Sequence, residues 1–139
     1  MITKLGKSLN KKTVFLGGTC NKSTWRDQLI PKLEINSFNP VVKKWTPKYK
    51  AEEIKQRKIC DIILYVITPK MIGVYSIAEV IDDSNKRPNK TVFCYLKKDE
   101  TSTFTEHQCT SLDMVGKMVD NNGGKWCKTL EDVVRYLNK

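Results

Sequence analysis

DIILYVITPKMIGVYSIAE, residues 61–79, is the stretch on which the fold turns. Ile62 to Thr68 is a run of apolar and β-branched residues. A run that is apolar on both faces fits a central parallel strand buried between helices. Pro69 ends it, and Gly73 sits in the loop that follows. Ser76-Ile77-Ala78-Glu79 then opens a helix in which Ile77, Val80 and Ile81 share one face and Glu79 lies off it. A carboxylate is thereby placed in the first turn of a helix, just past the carboxyl end of a central strand. Open α/β sheets bind their ligands there. The same residues also read as a capping box, Ser76-x-x-Glu79, whose two side chains satisfy free N–H groups at the helix start. On the motif alone both readings stand.

Outward from this stretch the chain alternates strand and helix. Thr13-Val14-Phe15-Leu16 reads as the first strand, closed by Gly17-Gly18. Glycines there let the backbone turn sharply and approach a ligand, and the loop could offer N–H groups to a sugar hydroxyl or phosphate. A plain βα turn needs no more than the same residues. The dinucleotide fingerprint GxGxxG is absent, which argues against a Rossmann cofactor. Ser23 or Thr24 caps a helix bearing Trp25, Leu29, Ile30 and Leu33, with Pro31 ending or kinking it. Phe38 to Val42 reads as a second strand broken by Asn39-Pro40, and its loop carries Lys43, Lys44 and Trp45. Trp45 could stack on a base, although packing is the default role of a tryptophan. Thr46-Pro47 starts a charged, mostly exposed helix.

Thr91 to Leu96 is the next strand, and Lys97 to Gln108 a polar loop. A helix near 111–120 turns Leu112, Val115 and Val119 inward, and Asn121-Asn122-Gly123-Gly124 closes it. Lys125-Trp126-Cys127 is a short fifth strand. Thr129 caps a last helix with one stripe of Leu130, Val133, Val134 and Leu137. Strand and helix repeated about five times argue an α/β flavodoxin-like fold: a doubly wound five-stranded parallel sheet in the order 2-1-3-4-5. Val14, Leu16, Ile63, Tyr65, Val92 and Phe93 are its expected core.

The totals bound the function. The 139 residues suit a single domain spanning 1–139, with 1–11 a flexible basic N-terminus. No apolar run approaches the ~20 residues of a membrane span, and the first residues lack the apolar core of a secretory signal. Cys20, Cys60, Cys94, Cys109 and Cys127 form no CxxC pair and no even set. They read as reduced thiols of a cytoplasmic protein, with no metal site. His107 alone rules out His-rich metal chemistry and reads as a surface residue. The net charge of +10 is spread over scattered lysines. Such an excess suits solubility or an anionic small ligand better than a nucleic-acid stripe.

KTVFLGGT at the start, FNPVV followed by Trp45, and VITP followed by G-x-YSIAE together resemble the nucleoside 2-deoxyribosyltransferase-like family, in its small-domain branch. The resemblance spans about Lys12 to Leu96. It implies that Glu79 is the nucleophile and that Glu53, 26 residues earlier, is the acid or sugar orienter. Glu52 is the register alternative, and a solvated helix charge is the plain reading of Glu53. Asp61 begins the central strand, so about 23 Å of strand at ~3.3 Å per residue separates it from Glu79, and it reads as structural. The resemblance further implies a small-molecule nucleoside or nucleotide substrate and no cofactor. It also implies a homo-oligomer in which Asn121 to Trp126 completes a neighbour's site.

Gly17, Gly18 and Thr19 are expected on the sugar side, with Asn39, Trp45, Met71, Gly73, Tyr75 and Ser76 as further substrate-binding candidates. Two positions depart from the family pattern. Phe15 stands where longer members carry a tyrosine that holds the nucleophile, and Gly73 where they carry an aspartate that handles the base. Tyr75 is a candidate replacement for the tyrosine. The function expected is cleavage of the N-glycosidic bond of a (deoxy)nucleoside or its 5′-monophosphate, as transferase or hydrolase. The alternative is a non-catalytic nucleotide-binding module of the same fold.

Overall fold

Apolar residues on the central strands alternate between two cores, one on each side of a sheet. The computed structural model describes residues 11–139, so the expectation for the N-terminal stretch falls, Lys11 apart, outside the described residues. β1 (Thr13–Gly18), β2 (Asn36–Phe38), β3 (Ile62–Ile67), β4 (Thr91–Tyr95) and a last strand, Lys125–Cys127, are all parallel. Between β4 and that last strand lies a two-stranded hairpin, β5 (Lys98–Asp99) and β6 (Ser102–Thr103), so Lys125–Cys127 is β7. The sheet order is β2-β1-β3-β4-β7, the flavodoxin-like arrangement, with the chain reversing direction between β1 and β3.

Val14, Leu16, Leu64, Val66, Val92 and Cys94 face one core, where Trp25 and Leu29 of helix α1 (Trp25–Leu29) and Val133 and Leu137 of α5 (Leu130–Leu137) cover them. Phe15, Ile63, Tyr65, Ile67 and Phe93 face the other, under Val80 of α3 (Tyr75–Lys86) and Leu112 and Val119 of α4 (Glu106–Asn121). Period-two alternation on strands buried on both sides is why the central segments read as continuous apolar runs. All six residues expected in the core are buried. The remaining helix, α2 (Pro47–Ile59), lies against α3 and is mostly exposed.

Several local expectations are corrected. β2 lies at 36–38 rather than 38–42, because Pro40 has no N–H to give a ladder. The loop expected over 97–108 contains the hairpin, and α4 begins at Glu106 rather than near Ser111. Its start is a capping box: Gln108 N–H donates to Thr105 Oγ1 at 3.0 Å, and Thr105 N–H donates to Gln108 Oε1 at 2.8 Å. Thr24 sits at the start of α1 without capping it through its side chain, and the Ser23 hydroxyl donates to Asp99 Oδ2 instead. Thr129 does cap α5, accepting from Asp132 N–H at 3.0 Å. Asp61 Oδ2 accepts from Thr13 N–H at 2.8 Å at the amino edge of the sheet, a structural bond. The five cysteines are free. No helix among the described residues is long and apolar enough to cross a membrane.

Candidate functional site

β1 leaves the sheet through a backbone only glycine permits. Gly18 has φ of +117°, and a Cβ there would lie 2.0 Å from the Val66 carbonyl oxygen. The following loop is clamped to β3. Thr19 N–H donates to Val66 O at 2.9 Å, and Thr68 N–H donates to Thr19 Oγ1 at 2.9 Å. That Thr19 N–H is therefore engaged within the fold rather than offered to a ligand. Buried Arg26 ties the loop from beneath, donating to Leu16 O at 2.9 and 3.0 Å and to Thr19 O at 2.7 Å.

This loop, the loop after β2, and helices α2 and α3 enclose a cleft of about 220 Å³ at the carboxyl ends of β1 and β3. Phe15, Gly17, Gly18, Trp45, Glu53, Tyr65, Ser76 and Glu79 are among its walls. A second depression of about 200 Å³ adjoins it across Gly18, Cys20 and Ser76, and is lined by Thr19, Met71, Gly73 and Tyr75. Each is below the ~300–1,000 Å³ of ordinary small-molecule sites, and the two joined fall within it.

Of the catalytic and substrate-binding candidates Glu79, Glu53, Gly17, Gly18, Thr19, Asn39, Trp45, Met71, Gly73, Tyr75 and Ser76, only Asn39 lies outside both depressions. Its Oδ1 accepts from Val41 N–H at 3.0 Å and shapes the loop that carries Val41. Glu53, not Glu52, faces the cleft; Glu52 Oε1 accepts from Gln56 Nε2 at 3.0 Å. Trp45 does not pack into the core: it is 59% exposed at the cleft rim.

The capping box expected at Ser76 and Glu79 is not formed. α3 begins at Tyr75, so Ser76 is already inside the first turn and cannot act as the cap. Glu79 is the fifth helical residue and turns to α2. Its Oε2 accepts from Arg57 Nη1 at 3.0 Å, and its side chain is 11% exposed. Nor does Tyr75 hold it, being 69% exposed beside the adjoining depression.

Arg57 is the hub of this end of the molecule. Its Nε and Nη2 donate to the Oδ2 and Oδ1 of Asp83 at 3.2 and 3.1 Å. Asp83 is fully buried and also receives the Tyr65 hydroxyl at 2.6 Å and the Arg87 guanidinium. Arg57 and Asp83 were not singled out in the sequence, where Tyr65 reads only as a core residue. The signal was helical spacing: Arg57 follows Glu53, and Asp83 follows Glu79, by four residues, which puts each pair on one helix face.

The electrostatics follow from burial. Desolvation pushes the Glu79 carboxyl up to about 7, against the pull of Arg57, with Glu53 and Asp83 pushing the same way as burial. The dipole of α3 does little to oppose this, since it fades beyond the first turn and Glu79 is the fifth helical residue. Glu53 is likewise raised by burial, opposed by Arg57, Lys50 and Arg26. The cleft thus holds two carboxyl groups that burial raises above their ordinary range, with the Arg57 guanidinium beside them. Such perturbed pairs are typical of acid–base sites. Among the described residues no group of three His, Cys, Asp or Glu side chains is placed to hold a metal ion.

The family model described as nucleoside 2-deoxyribosyltransferase like matches residues 11–98, a span that carries β1 to β4 and every wall of the cleft. No curated protein matches the chain.

Proposed function

We propose that this chain, which belongs to the nucleoside 2-deoxyribosyltransferase-like family, breaks the N-glycosidic bond of a (deoxy)nucleoside or its 5′-monophosphate, with Glu79 as nucleophile. The observation that carries the reading is the meeting of Glu79 and Glu53 in one cleft at the point where the strand order reverses.

The chemistry runs in two steps. The ionised Glu79 carboxylate attacks the anomeric carbon, forming a C–O ester bond. The C–N bond breaks, and its electron pair leaves with the base, which takes a proton from Glu53 or water. A raised Glu53 carboxyl suits a proton donor. A second base or a water then attacks the same carbon, giving its proton to the Glu53 carboxylate or to water, and Glu79 departs as a carboxylate. Gly17 and Gly18, with no side chain, leave room for the sugar. Trp45 at the rim, with Met71 and Tyr75 in the adjoining depression, receives the base. Asn39 acts only through the loop it holds.

Gly73 bears on the acceptor. A Cβ there would meet nothing within 4 Å, so packing does not exclude the aspartate that relatives carry. Without that carboxylate a second base is poorly received, and water is the favoured acceptor. Trp45, exposed at the cleft rim, leaves a surface that a second copy in a homo-oligomer would complete. The test is a panel of nucleosides and monophosphates, with and without free base, resolved by chromatography. Base release by the wild type that is lost in Glu79→Gln supports the reading; binding without any release supports a nucleotide-binding module instead.

A further inference from the structure

We infer that Arg57, anchored by Asp83, is a positioning residue that fixes the Glu79 carboxylate toward the cleft and favours its ionised form. The inference rests on the reading of Glu79 as nucleophile and deepens it.

The anchoring geometry is one-sided. Arg57 spends Nε and Nη2 on both oxygens of Asp83, in the two-pronged arrangement that a guanidinium matches best. Asp83 is itself fixed by the Tyr65 hydroxyl from β3 and by Arg87 one helical turn away. Asp83 is fully buried, so this end of Arg57 is held by a group that cannot move into solvent. Nη1 is left pointing at Glu79 Oε2, 3.0 Å away. A lysine could not do this, because one ammonium cannot hold Asp83 by a planar fork and Glu79 by a third N–H. Only one Glu79 oxygen receives the Arg57 bond, so the other remains for the reacting carbon.

The surroundings otherwise oppose ionisation. Facing Glu79 are Glu53 and Lys50 from α2, Asp83 from its own helix, and Tyr65 from β3. Cys20 and Arg26 line the same cleft from the β1 side. Burial, Glu53 and Asp83 raise the Glu79 carboxyl, and Arg57 is the foremost group lowering it. Take Arg57 away, and the carboxylate form is left among two other carboxyl groups with only Lys50 helping.

The experiment is a carboxyl-carbon NMR titration of Glu79 in selectively labelled wild type and Arg57→Met, the resonance assigned by its loss in Glu79→Gln. Base release is followed against pH in parallel. In wild type the midpoint should lie at about 7. In Arg57→Met it should rise by about 1 to 3 pH units, the effect of removing an adjacent opposite charge. The rising limb of base release should move with it, so that activity lost at pH 7 returns at high pH while KM stays near wild type. A merely structural arginine would lower activity equally at every pH. If Arg57→Met does not fold, Arg57→Met with Asp83→Asn is titrated against Asp83→Asn alone, so that the difference isolates Arg57 and should again be a rise. An unmoved Glu79 midpoint overturns the inference. A moved midpoint in a protein whose wild type releases no base leaves the positioning intact and refutes the nucleophile reading instead.

Discussion

Tyr65→Phe isolates the polar anchor under the cleft. The Tyr65 hydroxyl donates to Asp83 Oδ2 at 2.6 Å, and both residues are essentially sealed from solvent. The substitution removes one oxygen and leaves the ring in place, where Phe15 lies against it and Gly17 gives it room. No cavity term of consequence enters. A hydrogen bond to a charged group contributes about 1.5–3 kcal/mol. Asp83 Oδ2 keeps a second donor, Arg57 Nε at 3.2 Å, so the carboxylate is not orphaned and the low end applies, about 1.5–2 kcal/mol. With a urea dependence of about 1–3 kcal/mol per molar, the unfolding midpoint should fall by roughly 1 M at unchanged slope. Urea titration followed by fluorescence reads this directly. A loss below about 0.5 kcal/mol, the scatter of surface substitutions, would refute the picture of Asp83 as a buried anchor that Tyr65 helps to hold.

Trp45→Ala should leave stability within about 0.5 kcal/mol, because the side chain lies outside the core. It should weaken substrate binding by the ~1–3 kcal/mol of a lost base stack, read as a higher KM; a large stability loss with unchanged KM would return Trp45 to a packing role. Gly73→Asp should fold like wild type, since the position is open, and should shift the products from hydrolysis toward base exchange, measured with a labelled acceptor base. Light scattering at micromolar protein should show a homo-oligomer; a monomer with full activity would remove the second copy from the proposal.

Much of the fold was legible because β1, β3 and β4 are buried on both faces, which forces apolar runs, and glycines or prolines punctuate them. The hairpin at 98–103 escaped because strands of two residues carry no periodicity. The start of α4 escaped because its first turn, Glu106-His107-Gln108, is polar and only the Thr105–Gln108 spacing marked it. At the site, backbone shape was readable from Gly17-Gly18, and the carboxylates were reached through the family resemblance and helical spacing. What side chains do across elements was not readable. Ser76 and Glu79 have the spacing of a cap, and nothing local says that Arg57, distant in sequence, draws Glu79 away. Trp45 has the chemistry of a core residue, and only the loop geometry around Pro40 leaves it at a rim.

The most direct measurement is the rate of base release from the best substrate at pH 8, where the Glu79 carboxyl is largely ionised, for wild type and Glu79→Gln side by side. Glutamine keeps an oxygen for Arg57 to bond, so the variant should fold and bind substrate. Release should drop by orders of magnitude, because an amide is a poor nucleophile at the anomeric carbon. Release by Glu79→Gln at the wild-type rate would contradict the assignment of Glu79 as the nucleophile.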